Sequence, residues 1–148
     1  MAALTSARST WLRSFTYAIL SLPTGYTATE GGAACLDTAN AGYVYPAYAG
    51  QSTLIPIGQF KGISGLNGQV AGPANVGVEL DEPVWCRNYD SVTGSGAVTI
   101  SNQLQEVYLS SDHEVTTTAG SNGKAGRVWD VNGDGVWVQG PWIGQSAS

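Results

Sequence analysis

Residues 127–139 read Arg-Val-Trp-Asp-Val-Asn-Gly-Asp-Gly-Val-Trp-Val-Gln, and they are the clearest indication of the fold. Two β-prone runs flank the tetrapeptide at 132–135, and such runs around an Asn-Gly or Asp-Gly turn are the strongest short-range signal for a β-hairpin. Trp129 and Trp137 occupy equivalent places on the two arms, so we expect a cross-strand aromatic pair that stabilises the hairpin. The sequence therefore predicts a rigid hairpin in this part of the chain.

Further short β-prone runs, separated by turn residues, precede this hairpin. Strands are predicted at residues 53–63, 74–80, 83–89, 97–100, 107–109 and 114–118, with a loop at 65–73 and Pro56 marking a sheet edge or a bulge. Strands about 8–12 residues apart with turn signals between them are typical of sandwiches and barrels. The predicted fold class is all-β: a small antiparallel β-barrel or sandwich at residues 51–148, preceded by an extended N-terminal arm at residues 1–50.

The predicted arm is rich in aromatic residues and has no clean alternation. Tyr and Trp are enriched at protein interfaces, so an irregular, nearly uncharged aromatic segment favours contacts with another subunit. The alternative is that the arm wraps its own barrel and buries these rings there, and the sequence leaves both open. Trp142, beyond the last predicted strand, is a further candidate contact. The residues predicted to form an interface with another subunit are Trp11, Phe15, Tyr17, Tyr26, Tyr43, Tyr45 and Trp142.

Charge is scarce in the 148-residue chain. Only 11% of residues are charged, and residues 38–60 and 62–78 carry no charge at all. A surface with so few charges is expected to be covered in part by other subunits. The net charge is −5, and an acidic chain repels phosphate backbones, so we expect no direct binding of nucleic acid. No apolar run approaches the ~18–20 residues that a membrane span needs, so we expect no membrane partner.

The two cysteines, Cys35 and Cys86, have neither a metal-binding spacing nor a CxxC motif. A disulfide between them would need an oxidising compartment. We favour two partly buried thiols, because free cysteine behaves as a small apolar side chain. The sequence leaves the disulfide open.

Asp130, Asn132, Asp134 and Gly135 match the opening D-x-N-x-D-G of a calcium-binding loop. Such a loop needs a bidentate Glu at its twelfth position, where this chain has Pro141, and the flanking segments are strands. The same residues suit a tight hairpin turn, which is the interpretation we favour. We expect no metal and no cofactor.

The sequence gives only weak signals for a group of catalytic residues. The only histidine, His113, lies in Ser110-Ser111-Asp112-His113-Glu114, where neighbouring side chains point in different directions, and no G-x-S-x-G motif occurs. Acidic side chains from Glu79 to Glu114 could supply a pair for glycoside hydrolysis, yet no spacing distinguishes one pair. We therefore expect no catalytic residues. The five tryptophans admit a carbohydrate-binding interpretation beside the simpler one of packing.

The chain also resembles a known protein family over about residues 53–139. The motifs are V-Y-x-x-x-D from Val107, A-G-x-V-x-x-V from Ala125, and x-G-V-W-V around Trp137, and the earlier runs at 57–60, 76–80 and 84–86 fit the same pattern. In these features it resembles the head decoration, or capsid cement, proteins of tailed bacteriophages. The segment before residue 50 is outside this resemblance.

The resemblance implies a structural virion protein, made in the host cytoplasm, that binds the outer surface of an assembled head. It implies the major capsid protein as partner, self-association with a trimer favoured, and stabilised contacts between capsid subunits. In this interpretation the barrel is the rigid body and the arm is a strap, so deletion of residues 1–22 is expected to abolish capsid binding and leave the barrel folded. The alternatives are a carbohydrate-binding or adhesin module on the virion surface and a small β-fold hydrolase that uses His113.

Overall fold

The computed structural model describes residues 17–81 and 86–140. These residues form two five-stranded units and a small two-stranded sheet, so the predicted all-β fold with an antiparallel barrel is confirmed. Two short 3-10 helices, η1 (Leu66–Gly68) and η2 (Ile100–Asn102), interrupt the strands. The strands are β1 (Tyr17–Leu22), β2 (Thr27–Thr29), β3 (Ala33–Asp37), β4 (Val44–Pro46), β5 (Leu54–Phe60), β6 (Gln69–Ala71), β7 (Ala74–Leu80), β8 (Cys86–Ser91), β9 (Glu106–Leu109), β10 (Glu114–Thr116), β11 (Lys124–Asn132) and β12 (Gly135–Gln139).

The first unit is an open antiparallel sheet in the order β1-β7-β5-β3-β4. Here the structure differs from the predicted division of the chain at residue 50. β1, β3 and β4 lie on the N-terminal side of that boundary, yet β3 pairs with β5 and β1 pairs with β7. Residues 17–46 thus supply three strands of this sheet, and residues 1–16 of the predicted arm lie outside the described part of the chain.

The second unit is a closed barrel in the order β10-β8-β12-β11-β9. Its pairs are antiparallel except for β8 with β10, which closes the barrel in parallel over two residue pairs. The predicted strands at 107–109, 114–118, 127–131 and 136–139 correspond to β9–β12. Residues 97–100, predicted as a strand, instead lead into η2, because the side chains of Thr99 and Asn102 satisfy each other's backbone amides as a capping box.

Two differences concern single strands. Pro56 lies in β5, a central strand, and the register between β3 and β5 shifts beside it, so the predicted bulge is present but the edge is not. The predicted loop at 65–73 contains β6, which pairs with β2.

Two apolar cores hold the units together. The barrel core contains Val107, Leu109 and Val138, and it also takes Cys35 and Leu54 from the open sheet. The second core lies within the open sheet. Because strands of the open sheet contribute side chains to the barrel core, the two units pack against each other through that core. The side chains of the second core are Leu22, Ala28, Ala34, Val44, Ile57, Phe60, Val76 and Val78.

Candidate interaction surface

The structure separates the predicted interface residues into three groups. Trp11, Phe15 and Trp142 lie outside the described residues. Tyr17 and Tyr43 are each 46% exposed and lie on the surface of the open sheet.

The third group of predicted interface residues, Tyr26 and Tyr45, has its side chains directed into the protein. Their rings meet edge to face, with centroids 5.0 Å apart, and Tyr48 packs on Tyr26 at 5.8 Å. Tyr45 is buried in the barrel core, and Tyr26 packs against both cores. Burial and the hydrogen bond with Tyr26 raise the pKa of Tyr48 to about 12, so this phenol stays neutral. These rings therefore join the two units, and in this position Tyr45 has little surface to offer a partner.

The hairpin of β11 and β12 forms as predicted, but its two tryptophans are not opposite each other. Trp137 faces Asp130, and beyond this pair the register shifts between Val128 and Asp130, so that Trp129 is the extra residue of a β-bulge. Trp137 is half-buried and donates its indole N–H to Asn132 Oδ1 at 3.2 Å. The expected cross-strand pair is therefore wrong. The turn pairs Asn132 with Gly135, and counting back from it along both strands brings Asp130, and not Trp129, opposite Trp137.

The bulge places Trp129 on the surface with 57% of its area exposed. Leu104 lies beside it, 58% exposed, and its φ of 67° is in the left-handed region that a leucine rarely adopts. Ile100, on η2, is also exposed. We call Ile100, Leu104 and Trp129 the barrel patch. Irregular backbone and strained residues are frequent at binding sites, where the fold holds them in place.

Hydrogen bonds fix the two irregular segments of the barrel patch to each other. The Leu104 amide donates to Val128 O at 2.7 Å, and Gln103 Nε2 donates to Trp129 O at 2.9 Å. Arg127 Nη1 donates to Leu104 O at 3.0 Å and brings the nearest positive charge to the rim. The exposed side chains of the barrel patch are thus carried by backbone segments that are hydrogen-bonded to each other.

Ile100 and Leu104 are not among the interface residues predicted from the sequence. A signal for them was present: residues 92–105 carry no charge, and within them these two large apolar residues stand among Ser, Asn and Gln. Isolated apolar residues in an uncharged polar run are expected at an interface, where charge is depleted at the centre and the rim is polar.

A polar cleft of about 400 Å³ lies where the open sheet meets β8. Within it Arg87 forms an ion pair with Asp81, and Gln59 Nε2 donates to Glu79 Oε1 at 2.9 Å. Burial raises the pKa of the neighbouring Cys86 thiol, which weakens it as a nucleophile. Polar side chains of this cleft thus form an ion pair and a hydrogen bond with one another.

Cys35 and Cys86 are both free thiols in the structure. Cys35 is fully buried, and burial raises the pKa of its thiol. This arrangement agrees with the interpretation of two thiols that we favoured from the sequence.

The side chains around His113 are not arranged as a Ser-His-Asp triad. Ser111 Oγ lies 3.3 Å and Asp112 Oδ1 lies 3.0 Å from the same ring nitrogen, Nδ1. In a Ser-His-Asp triad the hydroxyl and the carboxylate contact opposite nitrogens of the imidazole. The Asp112 carboxylate accepts a hydrogen bond from the His113 ring and thereby raises the pKa of His113. The Ser111 hydroxyl accepts the Glu114 amide at 3.1 Å, so these residues stabilise a turn.

The residues that match a calcium loop are a hairpin turn in the structure. Asp130 Oδ1 accepts its neighbour's amide at 2.9 Å, Asn132 Oδ1 accepts the Asp134 amide at 2.9 Å, and Gly135 has a φ of 122°. The predicted hairpin is confirmed. Within residues 17–81 and 86–140, no three His, Cys, Asp or Glu side chains are grouped as metal ligands, and no helix is long and apolar enough to cross a bilayer.

Comparison of the chain with protein-family models, with curated proteins and with solved structures gives no match.

Proposed function

We propose that this chain is a decoration protein of a bacteriophage head, which binds the outer surface of the assembled capsid and stabilises contacts between major capsid subunits. The observation that carries the proposal is the barrel patch: three large apolar side chains exposed on a closed, rigid barrel, two of them at backbone irregularities. A tryptophan with an adjacent arginine and a rim of amide side chains is the composition of a protein-binding hot spot.

The motifs shared with decoration proteins support the same proposal, because they include β9, β11 and β12, the strands that form the barrel wall. A protein that binds only the assembled shell stabilises it by mass action and needs no catalytic group. The proposed setting is the virion surface, after synthesis in the host cytoplasm, with the major capsid protein and further copies of this chain as partners.

The structure changes the experiment that the sequence suggested. Residues 17–22 form β1, and Leu22 is 1% exposed in the second core, so deletion of residues 1–22 would remove part of the fold. Deletion of residues 1–16 leaves every described strand in place. The arm is therefore tested with that shorter deletion.

The test is co-sedimentation of the purified protein with undecorated capsids assembled from the major capsid protein of the same phage. We expect saturable binding that increases the resistance of the shells to heat. Trp129→Ala should weaken binding by about tenfold or more, the loss typical of an interface hot spot. Leu66→Ala is the matched control, because Leu66 is 87% exposed on η1 and is not part of the barrel patch. Absence of saturable binding by the full chain would contradict the proposal.

A second candidate function, a carbohydrate-binding module, is favoured by one observation. Trp129 presents an exposed indole, with the Asp130 carboxylate next to it in the chain and Gln103 bonded to its backbone. Amphipathic aromatic rings suit partners with one apolar face and polar edges, which is also how a sugar ring is built. A glycan array distinguishes the two: sugar binding lost in Trp129→Ala, without capsid binding, would replace the first proposal by the second.

A further inference from the structure

β1 is the last strand of the open sheet, and among the described residues it is hydrogen-bonded to one strand only, β7, although β4 also lies close to it. The Lys61 amide donates to Gly77 O at 3.0 Å, so the backbone groups of Gly77 point toward β5. Backbone groups of successive residues point to opposite sides of a strand, so Val76 and Val78 face β1 and bond to their partners, Leu20 and Ala18. By the same alternation, the N–H and C=O groups of Tyr17, Ile19 and Ser21 point away from the sheet.

Those outward groups have no hydrogen-bond partner among the described residues. Nor does the strand carry the usual protection of an edge. Residues 14–29 hold no charge, and the six residue pairs with β7 run without a bulge. Natural edge strands are normally blunted by charge, proline, bulges or shortness. The opposite edge of this sheet follows that rule, since β4 has three residues and ends at Pro46.

A cavity of about 330 Å³ lies at the Leu22 end of β1, lined by Ser21, Leu22, Tyr43 and Asn75 among others. The exposed side chains of Tyr17 and Ile19 lie on one face of the same strand. An edge with free backbone groups, exposed apolar side chains and a cavity at its end fits an added β-strand, which gains affinity from main-chain hydrogen bonds and specificity from alternate side chains.

The sequence before β1 indicates where that strand comes from. Residues 1–22 contain no Gly, Pro, Asn or Asp, the residues that tight hairpin turns require, so a hairpin back onto β1 of the same chain is disfavoured. The 16 residues that precede β1 reach roughly 50 Å when extended, which is far enough for a neighbouring copy. Residues 10–15, Thr-Trp-Leu-Arg-Ser-Phe, are rich in β-prone side chains.

We propose that residues 10–15 of one copy add a strand to the free edge of β1 in the next copy. Each copy then donates one arm and accepts another, which is a head-to-tail contact that closes into a ring when the rotation permits, as in a trimer. This inference specifies the self-association that the proposed function includes. It is tested without capsids, so its failure is distinct from a failure of capsid binding.

The first experiment measures the mass of the full chain in solution by sedimentation velocity. We expect the wild type to form a closed oligomer, and Ile19→Pro, which removes an outward N–H, to weaken association by about tenfold or more. Ile19→Ala is the matched control: it removes the exposed side chain, keeps the N–H, and should remain an oligomer. A monomeric wild type, or equal effects of Pro and Ala, would overturn the proposal.

The second experiment separates donor from acceptor. Leu12→Pro/Arg13→Pro disables the arm as a strand, because one of two adjacent residues must direct its N–H to the neighbouring strand. This variant retains an acceptor edge, and Ile19→Pro retains a donor arm. Each alone should be monomeric, and an equimolar mixture should form a one-to-one complex. Two monomers that fail to combine would overturn arm exchange in favour of another interface.

Hydrogen exchange provides a measurement that does not depend on the folding of Ile19→Pro. In the wild-type oligomer the amides of Ile19 and Ser21 should be protected, and in Leu12→Pro/Arg13→Pro they should exchange about tenfold faster or more. The amides of Val76 and Val78, which face β1 within the sheet, serve as the internal control. Unprotected Ile19 and Ser21 amides in the oligomer would overturn the proposal.

Discussion

The closed barrel and the open sheet of this protein handle their strand edges differently. In the barrel, the parallel contact between β8 and β10 removes the last edge, and the exposed features are side chains. In the open sheet, the outer backbone edge of β1 is not paired with any strand of residues 17–81 and 86–140. A closed barrel presents a partner with side-chain chemistry alone, whereas an open sheet also presents main-chain hydrogen bonds. The barrel patch and the β1 edge are therefore different kinds of binding surface within one small chain.

The strongest test of this comparison asks whether the two units unfold as one. Phe60, with no exposed area, lies in the core of the open sheet, and Phe60→Ala should lower the free energy of unfolding by about 3–5 kcal/mol. Because Cys35 and Leu54 extend from the open sheet into the barrel core, we expect the barrel to be destabilised equally. Hydrogen exchange of β11 and β5, measured in urea, checks this. A barrel that stays protected while β5 exchanges would show two independent units.

Burial explains which parts of the fold were predictable. Strand β12 alternates between half-buried and buried residues, and this period of two was visible in Val136, Trp137 and Val138. Strand β3 buries Ala33, Ala34 and Cys35 consecutively, because both of its faces are covered. A strand covered on both faces loses its alternation. The segment before residue 50 therefore resembled an irregular arm, although its strand β3 lies in the interior of the sheet.

The candidate surfaces were predictable only in part, for a related reason. Composition predicted an interface, which stays a prediction, and of the predicted residues Tyr17 and Tyr43 are exposed. Composition could not separate Tyr45, which is buried, from Tyr43 two residues earlier. The bulge at Trp129 depends on the register of β11 against β12, and a change of one residue in register has no signature in the sequence of either strand.

The next test concerns the outer face of the open sheet, where the Tyr17 ring covers Gly77. A Cβ at Gly77 would collide with the Tyr17 hydroxyl and with Lys61 O. Gly77→Ala should therefore cost about 1–3 kcal/mol of stability, as overpacking usually does. Gly133→Ala is the control in the barrel hairpin, since nothing lies within 4 Å of its position, and it should stay within about 0.5 kcal/mol. Urea unfolding measures both, and equal stabilities would contradict the packing.

The third test uses the loops that border β3. Asp37 is buried, and its carboxylate accepts hydrogen bonds from the side chains of Thr53 at 2.6 Å and Asn40 at 3.0 Å, among others. Burial alone would raise the pKa of Asp37, but the hydrogen bonds outweigh it and hold the pKa below its ordinary value. A lowered folded-state pKa contributes stability above the unfolded-state pKa of about 3.9, and this contribution disappears as the pH falls through the folded-state value.

Asp37→Asn should consequently lower stability by about 1–2 kcal/mol at neutral pH, because the amide cannot accept all of these bonds. It should also flatten the loss of stability below about pH 4. Urea unfolding across pH measures both effects. Asp134→Asn removes a charge from an exposed residue of the barrel hairpin and serves as the control. An unchanged profile in Asp37→Asn would show that these hydrogen bonds contribute nothing net.

The smallest effect is expected at the tryptophans of the barrel hairpin, and it distinguishes two registers of the same strands. If Trp129 and Trp137 were opposite each other, a double-mutant cycle to alanine would give an aromatic coupling of ~0.5–1.5 kcal/mol. With Trp129 in the bulge and Trp137 opposite Asp130, we expect a coupling within ~0.3–0.5 kcal/mol of zero. Trp137→Ala alone should be the costlier change, because Trp137 is half-buried and bonds Asn132, whereas Trp129 is largely exposed. A coupling near 1 kcal/mol would mean that the two strands have a different register in solution, with the Trp129 indole packed on Trp137 and no longer available to the barrel patch.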